Sequence, residues 1–361
     1  MTKKTEVKTQ VETLSKRVAE LQTRSSAKSN EIRALTLANG KMRTESEEIK
    51  RYVDVLTAAR LEIGGENVQV RQTPQPKRKL AEGVPHLIIS DTHFDEVVEK
   101  KEMDGVNAYN RQIATVRLDK VFDDAISAAY NSHIENDNFV LILAGDMISG
   151  NIHEELAITN SNTPMETVVY WTNQLLGHIQ NLSEHFALVD VYCVSGNHDR
   201  STAKTPFKKR AETSYTWIMY SWIESHFLDT DSVTVVVSVS PEFVWEVAGK
   251  TYVVTHGDGF SAGNGVSGLT PGLIKSVRSL FNRLKETRNI DADWCVFGHF
   301  HTPIFHNEPT WGGFIMNSSL KGYDEYCRGR NLPWSPAAQC FWVATENGPE
   351  EVTYIDVEGV E

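Results

Sequence analysis

Five short polar clusters in this 361-residue chain combine side chains that can do chemistry. They are Asp91-Thr92-His93, Gly145-Asp146, Gly196-Asn197-His198-Asp199, His256-Gly257-Asp258 and Gly298-His299-Phe300-His301. Carboxylate and imidazole together suit Mn²⁺, Fe or Zn²⁺ better than Ca²⁺, which prefers oxygen ligands alone. One such cluster carries little weight: an Asp after a strand usually caps a turn, and a single buried His is more often a hydrogen-bonded core residue than a ligand. Gly298–His301 says more, because two His two apart on an extended segment point to the same side. Together the clusters take five of the twelve His in the chain, so five unrelated structural explanations would have to coincide. The joint pattern predicts a metal centre.

Each cluster follows a short apolar run: residues 86–89, 139–143, 187–192, 252–254 and 294–297. Runs of this length ending in polar loops read as strands buried on both faces, with the functional loop at the C-terminal end. Helix-length segments alternate with them, which predicts an α/β chain. With 40% hydrophobic and 23% charged residues, the chain has the composition of a water-soluble protein with a sizeable core. No apolar run is long enough to span a membrane, and MTKKTEVKTQVETL has no apolar segment of the secretory kind. Cys193, Cys295, Cys327 and Cys340 are scattered without CxxC spacing, which predicts reduced thiols and a cytoplasmic location.

The order DxH, GD, GNHD, H, GHxH over residues 84–320 resembles the calcineurin-like metallophosphoesterases. The resemblance implies a sandwich of two mixed β-sheets flanked by helices, with the ligands on strand-end loops. It implies that Asp91, His93 and His301 hold a first divalent ion and that Asn197, His256 and His299 hold a second, with Asp146 bridging both. Mn²⁺ is the foremost expectation, with Fe, Zn²⁺ or Ni²⁺ as alternatives. Two such ions share a hydroxide that attacks phosphorus in line. The resemblance also places His198 over the phosphate, where it stabilises charge or protonates the leaving oxygen, with Asp199 orienting it.

The substrate is less closely specified. Residues 200–210 hold five basic residues in eleven, so Arg200 and Lys204 are candidate phosphate contacts; the competing reading is a solvated helix start. His153, in the loop after Asp146, is a further candidate. The 317–323 stretch is expected to add phosphate donors, and 259–289 reads as a lid insertion, Gly/Ser-rich and then amphipathic. The phosphoprotein phosphatases carry GDxxDRG and GNHE, whereas this chain has Gly145-Asp-Met-Ile-Ser-Gly150 and GNHD. GNHD is more similar to the nuclease branch typified by the SbcD-type exonucleases. The leading expectation is a phosphodiesterase or nuclease acting on DNA or a nucleotide. A phosphomonoesterase or pyrophosphatase on a small metabolite is the alternative, and a scaffold with a vestigial site comes last.

The N-terminal region is of another kind. With Val7, Leu14, Leu21, Lys28, Leu35, Met42, Ile49 and Leu56 at d, positions a are Val11, Val18, Ser25, Ile32, Asn39, Ser46 and Val53. Eleven of the fifteen are apolar, the seam of a coiled coil. This predicts a helical arm over residues 1–62 that forms a homodimer through 7–56, a linker at 63–83, and a catalytic domain over 84–361. An amphipathic helix lying on its own domain is the alternative, as is a hairpin broken at Asn39-Gly40. Residues 1–60 hold 13 Lys/Arg and 8 Asp/Glu and so carry +5, leaving −17 on the rest. A body that acidic does not resemble a non-specific nucleic-acid binder. Deleting residues 1–62 is expected to leave a folded, monomeric or weakly associating domain that still hydrolyses a small phosphate ester, read by sedimentation and turnover. An inactive truncation would show that the arm contributes to the site.

Overall fold

The alternation of strands and helices is realised in the computed structural model, which describes residues 83–132, 137–261 and 268–360, with Arg17 and Lys28 helical. The chain divides into two units, Met1–Asn67 and Val68–Glu361. The expected coiled coil over 7–56 and the linker to residue 82 lie outside the described residues, Arg17 and Lys28 apart.

The five expected strands are present as β1 (Val84–Ile89), β2 (Asn138–Leu143), β3 (Leu188–Cys193), β6 (Lys250–Thr255) and β7 (Trp294–Phe297). The others are β4 (Val233–Val237), β5 (Glu242–Val247), β8 (Ile304–Glu308), β9 (Gly312–Met316), β10 (Ala338–Thr345) and β11 (Gly348–Asp356). They form two mixed sheets, ordered β11-β10-β1-β2-β3-β4 and β5-β6-β7-β9-β8. Strands β1 to β4 run parallel, and so do β6, β7 and β9. Each sheet therefore gathers the loops after its parallel strands at one end.

The period-two side-chain alternation of strands builds the layers. Ile88, Val140, Ile142, Trp342, Tyr252, Val254, Val296 and Ile315 meet between the sheets. Their neighbours Leu87, Ile89, Leu141, Leu143, Phe341 and Val343 face outward from the first sheet. Helices α1 (Arg111–Asn131), α3 (Pro164–His185) and α4 (Tyr215–Phe227) cover that outer face, burying Phe122, Trp171 and Met219. Two further helices are short: α2 (Glu154–Thr159) and α6 (Glu325–Gly329). Local signals set the starts of the long ones. Asn110 accepts from the Ile113 N–H to cap α1, and Thr163 with Glu166 forms a capping box ahead of Pro164 on α3.

Helix α5 (Thr270–Arg288) corrects one expectation. It falls in the segment read as a lid, yet Leu273, Val277, Leu280, Phe281 and Leu284 are buried against Val253, Cys295, Phe297, Phe314 and Met316 of the second sheet. The apolar face of α5 is the outer wall of that core, so the helical part of the expected lid is a packed layer of the domain; residues 262–267 of the segment lie outside the described residues. No described helix is long and apolar enough to cross a membrane.

Candidate metal centre

The polar clusters all sit on loops at the shared end of the two sheets, and their backbone is strained. Asp91, His93, Asp146, His299 and His301 have φ between 44° and 70°, the left-handed region that Asp and His enter more readily than most residues but still at a cost. Strain of this kind survives only where the surroundings hold it. Here the loops after β1 and β2 continue to pair: the N–H groups of Asp91, His93 and Phe94 donate to the carbonyls of Gly145, Asp146 and Met147 at 2.9–3.1 Å. Two glycines of the motifs have a steric reason. A Cβ at Gly298 would lie 2.0 Å from Asp91 Oδ2, and one at Gly196 would lie 2.1 Å from Asp146 Oδ1.

The loops assemble two ligand groups. In the first, Asp91, His93 and His301 place one donor atom each within 4.8 Å of one another. The two Nε2 atoms are 3.1 Å apart, and His301 Nε2 is 3.3 Å from Asp91 Oδ1. Asp146, His256 and His299 form the second group within the same limit. His256 Nε2 lies 3.0 Å from Asp146 Oδ2 and 3.2 Å from Asn197 Oδ1. Six ligand residues thus come from four loops and both sheets, and only the sandwich brings them together.

Residues 84–326 match the calcineurin-like phosphoesterase family. The chain is a calcineurin-like phosphoesterase. Its fold is similar to that of a dimetal phosphatase from Danio rerio (9% identity, 76% of this chain and 98% of that one, TM-score 0.35). It is also similar to Vps29 complexed with zinc from Entamoeba histolytica (11%, 75% and 99%, TM-score 0.32) and to a 5'-nucleotidase from Candida albicans (11%, 78% and 53%, TM-score 0.33). No curated protein matches the sequence significantly. As a member of the family the chain is a metal-dependent phosphoesterase, and the family binds two divalent ions.

The donor set of this phosphoesterase fits such ions. Each group offers a carboxylate and two imidazoles, the set expected of Mn²⁺, Fe or Zn²⁺ rather than Ca²⁺. The electrostatics agree. Burial opposes ionisation of Asp146, yet the charge of His256 and the neighbouring imidazoles hold its carboxyl well below the usual range. Asp91 is likewise held down, against burial, by the His301 hydrogen bond and by His256. Burial and the nearby Lys321 keep His93 neutral, and burial with His256 lowers His299 to about 4. His256 alone is pushed up, to about 10, because Asp146 and Asp91 overcome its burial. The cluster therefore favours positive charge at its centre, which a divalent cation would supply.

His198 lies beside these groups, with its ring 4.7 Å from that of His93, and its backbone N–H donates to Asp146 Oδ1 at 2.7 Å. Asp199 does not orient it, which corrects the sequence expectation. The Asp199 carboxylate accepts from the backbone N–H groups of Gly196 (2.6 Å), Asp146 and Met147 (both 3.0 Å), tying the β2 loop to the β3 loop. Burial and the charge of Asp146 push its pKa up to about 7. The orienting group for His198 is the Ser149 carbonyl, 3.0 Å from Nδ1. A backbone acceptor leaves no trace in residue type, so sequence reasoning had no means of finding it.

Behind the first ligand group stands a buried charged cluster that was also missed. Glu96 Oε2 is 3.6 Å from His93 Nδ1 and accepts from Ser149 Oγ at 3.0 Å. Lys321 Nζ donates to Glu96 Oε1 at 2.7 Å and also pairs with Asp324. The residues expected to add phosphate donors after His301 are internal instead. Asn317 donates to Ser90 Oγ and Gln339 Oε1, both at 2.9 Å, and Ser90 Oγ donates to Asp91 at 2.5 Å; Ser319 donates to the Asp91 carbonyl at 2.7 Å. These side chains position Asp91 rather than meet substrate. Arg117, buried in α1, holds the same stretch by donating to the carbonyls of Leu320 (3.0 Å) and Lys321 (2.9 Å).

The expected substrate contacts divide. Arg200 is buried, its Nε donating to Thr202 O at 3.0 Å and its Nη1 to the Asn197 carbonyl, so it braces the loop. Lys204 is exposed. His153 is exposed at the rim, its ring 6.2 Å from that of His198.

The Lys321 cluster generates a pH prediction. Burial opposes ionisation of Asp324, but Lys321 and the Cys327 N–H hold its carboxyl well below the usual range; Lys321 is raised by Glu96 and Asp324 against its burial. A depressed carboxylate stabilises the fold above its unfolded pKa of about 4 and loses that contribution as pH falls further, whereas the lysine term is complete throughout the acid range. With chelator present, the melting-temperature gap between wild type and Asp324→Asn should be widest near neutrality and shrink below about pH 4. A gap constant down to pH 3 would show that the Asp324 charge is not the stabilising feature.

Proposed function

We propose that this chain is a dinuclear phosphodiesterase acting on nucleic acid or a nucleotide. The observation that carries the reading is the pair of adjacent buried ligand groups with His198 beside them. Asp91, His93 and His301 would hold one ion, and Asn197, His256 and His299 the other, with Asp146 available to both. Mn²⁺ is the proposed native metal. When bound, two such ions supply an ionised water at neutral pH and offset charge on the phosphate oxygens.

The chain's own residues do the rest. The Ser149 carbonyl fixes a proton on His198 Nδ1, so Nε2 is the nitrogen that would act on the leaving oxygen; it can donate only from the doubly protonated ring, a form that burial disfavours and the Asp146 charge favours. Asp199 and the glycines hold the loops in register so that the ligands converge without induced rearrangement. His153 and Lys204 lie outside the ligand shell and contact the rest of the substrate. A cytoplasmic homodimer assembled through residues 7–56 completes the proposal. The strongly acidic body favours, as a second reading, a phosphomonoesterase or pyrophosphatase on a small metabolite. The retention of every ligand position argues against a vestigial scaffold.

The deciding measurement is hydrolysis of bis-p-nitrophenyl phosphate against p-nitrophenyl phosphate with Mn²⁺, before and after chelation. Metal-dependent cleavage with the diester preferred is expected; preference for the monoester would favour the second reading, and cleavage of neither would overturn both. Asp146→Asn or His256→Ala should lose metal and nearly all activity. His198→Ala should keep both metals by elemental analysis while turnover falls by about 10²- to 10⁴-fold; loss of metal in that variant would contradict its assigned role.

A further inference from the structure

The basic run after the GNHD motif is split by the fold into two kinds of residue. Arg200 and Arg210 point inward: Arg200 binds carbonyls of its own loop, and Arg210 makes a two-pronged pair with Asp258 (2.8 and 2.9 Å) and donates to the Ser195 carbonyl at 3.2 Å. The neck of the loop is closed by the Arg200–Ser214 bridge and by Ser201, which donates from both N and Oγ to the Thr213 carbonyl at 3.1 and 2.7 Å. Between these anchors the tip, Lys204-Thr205-Pro206-Phe207-Lys208-Lys209, projects outward. Phe207 is 102% exposed, so its ring has no packing partner. Lys204, Lys208 and Lys209 are exposed and make no ion pair among the described residues. No Asp or Glu occurs from 200 to 211.

A fully solvated aromatic ring among unpaired ammonium groups lacks a stabilising role within the chain. Its chemistry is complementary to one class of molecule. Lysines neutralise a phosphodiester backbone, and the ring offers a stacking face to a base that is not already stacked. A duplex covers those faces, and a free phosphate has none. The loop is held by both arginines to the segments that carry Asn197 and His256, through the Asn197 carbonyl and the Asp258 carboxylate.

Resting on the phosphodiesterase reading above, we propose that residues 204–209 form a binding element for single-stranded nucleic acid, with Phe207 stacking on a base flanking the scissile phosphate and the three lysines contacting the backbone. The bulk acidity of the domain then acts against non-specific adsorption, and binding is confined to strands that reach this loop.

The test uses the full chain and a fluorescein-labelled 20-residue oligo(dT), with binding read by anisotropy under chelation so that the strand is not cut. Phe207→Ala should weaken binding roughly 5- to 150-fold, and Phe207→Trp should retain it. Replacing all three lysines by Gln should flatten the slope of log Kd against log salt by about 2. In turnover with Mn²⁺ and the oligonucleotide, the Phe207→Ala loss should fall on KM rather than kcat. Equal binding by wild type and Phe207→Ala, absence of binding by wild type, or equal affinity for a blunt duplex would each overturn the proposal. If bis-p-nitrophenyl phosphate is still hydrolysed in those cases, the strand-binding inference fails alone; if that diester is also inert, the phosphodiesterase reading fails with it.

Discussion

Asp91, Asp146 and Asp199 have essentially no solvent exposure and sit at the junction of the two sheets. Burying carboxylates without compensation is prohibitive, and much of the architecture around them can be understood as that compensation. Asp199 takes three backbone N–H donors, which locks two loops together. Asp91 takes Ser90 Oγ and the His299 N–H, the second from the opposite sheet. Asp146 takes the His198 N–H and the His256 ring. The negative charge left over is the driving force for binding divalent cations, and it exists only because the rest of the chain is stable enough to hold it.

That stability comes from the layers. Residues alternating along β1, β2, β6, β7 and β10 fill the space between sheets and the space beneath the helices at once, so a strand cannot slip without turning core residues outward. Rigid strand ends are what allow the loops to keep five left-handed residues in place. The same strain in an unsupported loop would relax, and the ligands would diverge.

Beyond the ligands, the site is built in two directions. Inward, Glu96, Lys321 and Asp324 form a buried ionic cluster behind His93, and Arg117 fixes the stretch that carries Lys321. Outward, the 200–213 loop turns two arginines to the protein and leaves a phenylalanine and three lysines to the solvent. One run of basic residues therefore serves both anchoring and display.

Apolar runs alternating with helix-length segments made the α/β class and the five site-bearing strands legible, and residue type marked the candidate ligands, because these are local properties; the two-sheet sandwich and the grouping of the ligands came only through the family resemblance. The sequence could not tell that the helix at 270–288 is a packed layer and not a lid: an amphipathic pattern says that one face is buried, not whether it moves. Nor could it separate Arg200 from Lys204, since both read as positive charge and only the neighbouring carbonyls distinguish brace from contact. Ser149 and Glu96 were silent for the same reason, as each acts through a partner about 50 residues away or through a backbone carbonyl, and Lys321, in the stretch expected to meet phosphate, turns inward to Glu96. What the tertiary structure alone decided was convergence. Ligands spread from 91 to 301 meet within a few ångströms because two sheets end at one place, and that is a property of packing rather than of any single stretch of residues.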